Sequence, residues 1–115
     1  MIFSESLKKN DDFRRVYGRK RSFANKYFVM YVSENGSDRN RLGISVSKKV
    51  GNSVVRHRIT RLVRESYRLN EKRFNSGLDL VVVARSTAAD IDYKAAESAL
   101  LHLAKLHGIL VESSS

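Results

Sequence analysis

The chain has 115 residues, enough for one domain with one hydrophobic core and too few for two domains of ordinary size. Its 22 lysines and arginines against 12 acidic residues give a net charge of +10, so nucleic acid is the first partner to expect and an anionic membrane surface the second. The absence of cysteine excludes disulfides and thiolate metal sites, and no stretch approaches the roughly 18 apolar residues that span a bilayer. We therefore expect one soluble, cytoplasmic domain over residues 1–115, with 112–115 as a disordered tail.

A short helix is the first predicted element. Asn10 is a suitable N-cap for it and Gly18 a suitable end. Phe13, Val16 and Tyr17 fall on one side of this helix. The letters GRKRS that follow indicate a loop carrying three cations.

Two strands are predicted next. Residues 26–34 (KYFVMYVSE) are rich in aromatic and β-branched side chains, and the turn cluster ENGSDRN follows them. One face of this first strand carries Tyr27, Val29 and Tyr31. Along residues 41–48 (RLGISVSK), an apolar face alternates with a face of very small side chains, namely Gly43, Ser45 and Ser47. The tyrosine face beside the small-residue face is a candidate ligand groove.

An arginine-rich helix is predicted from the letters VGNSVVRHRITRLVRESYR, with Asn52 or Ser53 as its N-cap and an end near Asn75. At 100° per residue, one stripe faces the sheet: Val55, Ile59, Leu62, Ser66 and Leu69. The opposite side carries His57, Arg61, Arg64 and Arg68, with Arg58 and Glu65 on one flank and Arg56 on the other. The pattern predicts an amphipathic helix whose outer face is a ladder of guanidinium groups.

The positive charge is concentrated on this helix. From Lys48 to Arg68 there are seven cations and one acid, a net of +6, so only +4 remains for the other 94 residues. Arginine presents a planar, permanently charged fork that matches phosphate oxygens and stacks on bases. Lys48 and Lys49 precede a helix N-terminus, which also favours an anion. The alternative is a merely solvated face of a basic protein, which such clustering disfavours.

The remaining elements complete an α/β (α+β) prediction. Residues 78–84 (LDLVVVA) read as a strand covered on both faces, and Asp92 can cap a last amphipathic helix. The order helix, strand, strand, helix, strand, helix predicts a two-layer sandwich with about four strands and three helices. The strands at Leu42 and Leu80 are joined by a helical crossover, so they can be parallel.

No arrangement of side chains indicates catalysis by the protein itself. His102 and His107 do not align well on a helix, and His57 stands among arginines, which disfavour cation binding. Asp90 and Asp92 are explained as turn and cap residues. We therefore expect no catalytic residue and no metal ligand in the protein.

The segment LGISVSKKVGNSVVRHRITRLVRES (residues 42–66) resembles the signature of the bacterial ribonuclease P protein family. The opening KKNDDFRRVY, the strand ANKYFVMYV, the letters LVVVAR and the final helix also fall in family order and spacing. The resemblance implies a subunit that binds a catalytic RNA and helps it remove the 5′ leader of precursor tRNA, with Mg²⁺ held mainly by RNA. It implies no membrane and no protein partner. It also implies a left-handed βαβ crossover, where the general rule predicts a right-handed one.

The resemblance, together with the charge pattern, divides the candidate site residues into two groups. The group expected to face the catalytic RNA, and to attract anions such as sulfate or phosphate, consists of Lys48, Lys49, Asn52, Arg56, His57, Arg58, Arg61, Arg64 and Arg68. The group expected to form the cleft for the single-stranded leader consists of Phe13, Tyr17, Val29, Tyr31, Ser45 and Ser47.

Two positions depart from the family motif, and other functions remain open. His57 stands where the family has asparagine, and Thr60 where it has a basic residue, so contacts assigned to those positions are in doubt. A general RNA-binding protein would use the same helix on other structured RNAs. A DNA-binding module of the helix-turn-helix kind would need a second helix directly before the arginine-rich one, and none is predicted there. A protein nuclease would need an acid and base or metal constellation that the sequence lacks.

Overall fold

The computed structural model describes residues 4–111; the predicted tail lies outside the described residues. The described elements are, in chain order, β1 (Ser4–Ser6), α1 (Asn10–Gly18), β2 (Ser22–Ala24), β3 (Phe28–Glu34), β4 (Asn40–Ser45), α2 (Ser53–Asn70), β5 (Leu78–Ala84) and α3 (Tyr93–His107). Short 3₁₀ turns follow α2 at Glu71–Arg73 and precede α3 at Ser86–Ala88.

The strands form one mixed sheet in the order β1-β4-β5-β3-β2. β4 and β5 are parallel neighbours joined through α2, as predicted, while β3 pairs antiparallel with both β5 and β2. The sheet has five strands rather than about four, because the three-residue strands β1 and β2 are too short to show a periodic pattern. The left-handed sense of the crossover stays a prediction.

The helices cover the two faces of the sheet unequally. α2 and α3 pack on one face, over a core that includes Phe28, Met30 and Leu80. α1 lies on the other face, where Val16 is buried with Val81 of β5. The two main layers are therefore the sheet and the α2–α3 pair, and α1 leaves part of the opposite face open.

Two predicted N-caps are confirmed, and two helix boundaries differ from the prediction. The side chain of Asn52 accepts a hydrogen bond from the Val55 N–H at 3.0 Å, and Asp92 caps α3 in the same way. Asn10 is the first helical residue of α1 rather than its cap, a position that Lys9 takes. α2 ends at Asn70 instead of near Asn75, because the chain tightens there into the 3₁₀ turn.

α2 is also rotated about its axis relative to the predicted stripe. Its buried residues are Ile59, Val63, Ser66 and Tyr67, whereas Leu69, predicted to face the sheet, is 57% exposed. At 100° per residue the buried side is displaced by roughly 60°. The rotation buries the Tyr67 ring, whose hydroxyl bonds Ser4 Oγ at 2.7 Å and accepts from Asn40 at 3.1 Å. It also turns Arg56 from a flank toward the sheet.

Candidate nucleic-acid interface

The outer face of α2 carries the predicted arginine ladder. His57, Arg61 and Arg64 are exposed and line a shallow depression along the helix. Within residues 4–111, no acidic side chain forms an ion pair with Arg61 or Arg64. Their charge is therefore available to a polyanion.

Other cations of the predicted group have protein partners. Arg68 forms an ion pair with Glu65, and its hydrogen bond holds the pKa of that carboxyl below its ordinary value. Arg58 donates to the backbone carbonyl of Ala89 at 3.2 Å and also to that of Ile91. Arg58 thus ties α2 to the turn before α3, a role that its place on the flank of the helical wheel does not reveal.

The residues before and at the start of α2 complete this surface. Lys48 and Lys49 are exposed in a turn that the Val50 N–H closes on the Ser47 carbonyl at 3.1 Å. The side-chain oxygen of Asn52 is occupied by its capping bond. Arg56, turned toward the sheet, has a buried Nε.

The predicted leader cleft lies on the other face of the sheet, beside α1. The strand register forms two parallel rows of residues across this face. α1 covers the row that contains Gly43, Val81 and Tyr31. The next row stays open and forms a floor made of Ser45, Val83, Val29 and Ala24.

Aromatic side chains form the wall of this groove. The ring of Tyr17 meets that of Tyr31 edge to face at a centroid distance of 4.8 Å, and Phe13 follows at 6.3 Å from Tyr17. The Phe13 ring lies against the backbone of Gly43, where an added Cβ would come within 2.7 Å of its Cζ atom. Burial raises the pKa of the Tyr17 phenol, against the opposing effect of its hydrogen bond with Ser45.

The structure therefore brings together five of the six predicted cleft residues: Phe13, Tyr17, Val29, Tyr31 and Ser45. Ser47 is exposed beyond the end of β4. Tyr27, placed on the same face by alternation, precedes β3 and packs instead against the core beneath α2 and α3. Val83 and Ala24 were not predicted as floor residues, because the apolar run of β5 shows no alternation and β2 is too short to recognise.

A network of charges around one buried carboxylate, that of Asp79, holds α1 on the sheet. Arg41 of β4 donates to both carboxylate oxygens of Asp79, at 2.8 and 2.6 Å, and Arg15 of α1 lies 3.6 Å from the same carboxylate. Burial alone would raise the pKa of Asp79, but hydrogen bonds from Arg41 and Asn35, together with the charges of Arg41 and Arg15, hold it below its ordinary value. The sequence shows Asp79 only as one acid within an apolar strand.

The described acidic residues do not form a metal site. Residues 4–111 contain no group of three or more histidine and acidic side chains placed to hold a metal ion. Asp12 and Asp79 lie near each other, but Arg15 and Arg41 neutralise both of them. No described helix is long and apolar enough to cross a membrane.

The fold and the site define a small α+β protein with a basic helix face on one side of the sheet and an aromatic groove on the other. The family model described as Ribonuclease P matches residues 2–107, and the chain therefore belongs to the ribonuclease P protein family. Members of this family are the protein part of a ribonucleoprotein nuclease of tRNA processing.

Individual relatives agree with this assignment. The chain is 63% identical to the ribonuclease P protein component of Lachnoclostridium phytofermentans over 96% of this chain and 95% of that one. It superposes on the Staphylococcus aureus RNase P protein with a TM-score of 0.85 at 38% identity, covering 92% of this chain and 97% of that one. For the Thermotoga maritima protein the TM-score is 0.81 at 32% identity, with 94% and 98% covered.

Proposed function

We propose that this chain binds the catalytic RNA of ribonuclease P through the outer face of α2 and the 5′ leader of precursor tRNA through the aromatic groove. Removal of the leader is then an RNA-catalysed, Mg²⁺-dependent hydrolysis of one phosphodiester bond. The protein residues bind and orient the two RNAs, and the metal is held by the RNA partner.

The observation that carries this proposal is that the two surfaces lie on opposite faces of one sheet. A single rigid domain can therefore contact two RNA segments at once. Arg61 and Arg64, which form no ion pair within residues 4–111, suit the phosphate backbone of a large folded RNA. The open floor crosses four strands, about 14 Å at the usual strand spacing. Aromatic rings beside a floor of this length suit a few unpaired nucleotides.

Reconstitution tests the proposal directly. The protein, a bacterial catalytic RNA and a precursor tRNA with a 5′ extension are mixed at low Mg²⁺ and compared with the RNA-only and protein-only reactions. We expect cleavage at the mature 5′ end to need both components. Cleavage by the protein alone would contradict RNA catalysis, and binding without any gain in cleavage would favour a general RNA-binding protein.

Variants separate the two surfaces. Arg61→Ala with Arg64→Ala should weaken binding of the catalytic RNA and reduce the slope of log K against log salt by roughly 0.7–0.9 per lost phosphate contact. Tyr31→Ala should weaken binding of precursor tRNA to the assembled enzyme by roughly 5- to 150-fold, since one stacked base contributes about 1–3 kcal/mol. Lys105→Ala, which removes an exposed charge from α3, is the matched control and should change neither. The same defect from both sets of variants would contradict the two-surface arrangement.

A further inference from the structure

Four charged side chains form a closed cycle between α1 and the sheet, in which each of two arginines lies beside both of two carboxylates. Arg15 of α1 lies 2.7 Å from Asp12 and 3.6 Å from Asp79. Arg41 of β4 lies 3.4 Å from Asp12 and 2.6 Å from Asp79. The Asp79 side chain is 1% exposed and that of Arg15 is 54% exposed, so the cycle is anchored inside the sheet and ends on α1.

The sheet itself fixes the position of the Asp79 carboxylate. Asp79 lies between Arg41 of β4 and Ser33 of β3 in the strand register. Arg41 donates to both of its oxygens, and the Asn35 side chain donates to Oδ1 at 3.0 Å. A carboxylate held in this way moves little, so Asp79 sets the position of Arg15 rather than following it.

The helix α1 has few other contacts that would fix its orientation. It has nine residues, a length at which an isolated helix is marginal in water. Val16 is its one fully buried residue, and the N-cap residue Lys9 makes no side-chain capping hydrogen bond. The charged cycle on its flank therefore contributes strongly to how α1 is rotated about its own axis.

The charged cycle and the aromatic wall of the groove lie on opposite flanks of α1. Arg15 falls about 100° to one side of the buried Val16, and Tyr17 falls about 100° to the other side. Val16 packs on the sheet between them. A rotation of α1 that carries Arg15 away from Asp79 therefore also moves the Tyr17 ring, whose hydroxyl bonds Ser45 of the groove floor.

We infer that Asp79 is a positioning residue for the 5′ leader: through Arg15 and Arg41 it fixes the rotation of α1 and thus the place of the aromatic wall beside the groove floor. The inference rests on the proposed function, because it takes the leader as the ligand of the groove. Asp79 is buried and lies two rows of residues away from the open floor, so it acts on the leader only through α1.

The sign of the effect on RNA binding separates positioning from simple charge. Asp79→Asn removes a negative charge from a protein of net charge +10, which by charge alone should tighten RNA binding. Positioning predicts the opposite for the leader. The affinity ratio of precursor tRNA to leaderless tRNA, measured on the assembled enzyme, should fall roughly 5-fold or more, the effect of losing one stacked base. Asp11→Asn, the matched control, removes an exposed acid from the same helix and should not lower this ratio.

A second variant decides the question if Asp79→Asn does not fold. Arg15→Met removes only the link to α1 and leaves Asp79 paired with Arg41. It should also lower the affinity ratio of precursor tRNA to leaderless tRNA. Arg14→Met, its matched control, removes the same charge from the neighbouring exposed position of α1 and should leave the ratio unchanged.

The ring contact in the free protein gives an independent reading. The ring centroids of Tyr17 and Tyr31 lie 4.8 Å apart, so nuclear Overhauser contacts between the two rings should weaken in Arg15→Met and persist in Arg14→Met. Persistent ring contacts in Arg15→Met, an unchanged affinity ratio in this variant or in folded Asp79→Asn, or equal losses in the two arginine variants would overturn the inference. An unchanged ratio in Tyr31→Ala would instead refute the proposed function.

Discussion

Individual arginines on α2 serve different purposes although they share one helix. Arg61 is exposed and has no acidic partner in the part of the chain that the structure describes, whereas Arg58 donates to two carbonyls of the turn before α3. A hydrogen bond from a guanidinium to a backbone carbonyl is assisted by the charge and is therefore stronger than a neutral one. Their spacing along the helix alone predicts that these arginines are equivalent. The contacts that each of them makes in the folded protein distinguish them.

Replacing these two arginines should therefore change stability by different amounts. Arg58→Ala should lower the free energy of unfolding by about 1 kcal/mol, roughly 5 °C in melting temperature, since two carbonyls lose their donor. Arg61→Ala should change stability by less than about 0.5 kcal/mol. Thermal melting of the free protein measures both. Equal losses in the two variants would show that the carbonyl contacts of Arg58 do not stabilise the fold.

Among the elements, long segments with a continuous apolar run or a clear period were predictable, and short or rotated ones were not. β5 and α3 carry strong patterns and clear boundaries, and Asn52 was recognisable as a cap. β1 and β2 have only three residues each, and their extended conformation depends on pairing with the neighbouring strands. The rotation of α2 follows from the hydroxyl partners of Tyr67, which are distant in sequence. Half of the groove floor was missed for the same reason, since only strand pairing places Ala24 and Val83 beside Val29.

The packing of α1 on the sheet depends on Gly43, which has no side chain at the point of contact. A Cβ at Gly43 would lie 2.7 Å from Phe13 Cζ and 3.1 Å from Leu7 Cδ2. Gly43→Ala should lower stability by about 1–3 kcal/mol and weaken precursor tRNA binding, because Phe13 must shift from its position in the groove wall. Gly18→Ala, where an added Cβ meets nothing within 4 Å, is the control and should be neutral or stabilising. Unchanged leader affinity in Gly43→Ala would contradict a role for Phe13 in the groove wall.

At the scale of the whole molecule, one buried histidine joins the last helix to the sheet. His107, near the end of α3, bonds the Met30 carbonyl of β3 through Nε2 at 2.8 Å and lies edge to face with Phe23 of β2. Burial lowers the pKa of this imidazole, an effect that the hydrogen bond to Met30 opposes and the nearby charge of Arg21 reinforces. The folded protein therefore takes up a proton here less readily than the unfolded chain.

This shift makes stability depend on pH in a defined direction. Since the folded pKa is depressed, the contribution is complete above the unfolded value of about 6.5 and is lost as the pH falls below it, by at most about 1.4 kcal/mol per pH unit. His107→Gln can still donate to the Met30 carbonyl but does not titrate. Melting curves from pH 7.5 to pH 5 should fall less steeply for this variant than for the unaltered protein. Parallel curves would contradict the assignment to His107.

The shortness of β1 also bears on how copies of this chain behave in concentrated solution. Beyond Leu42, no strand within residues 4–111 pairs with the outer edge of β4, and an unpaired edge can join the sheet of another molecule. Lys48 and Lys49 follow the end of this strand and Arg56 lies near its Ile44, which gives this end of the strand a positive charge. Two such edges repel each other, whereas a polyanion is attracted to either one. The charge that suits RNA thus also protects the free protein against aggregation, and neutralising these cations would remove that protection.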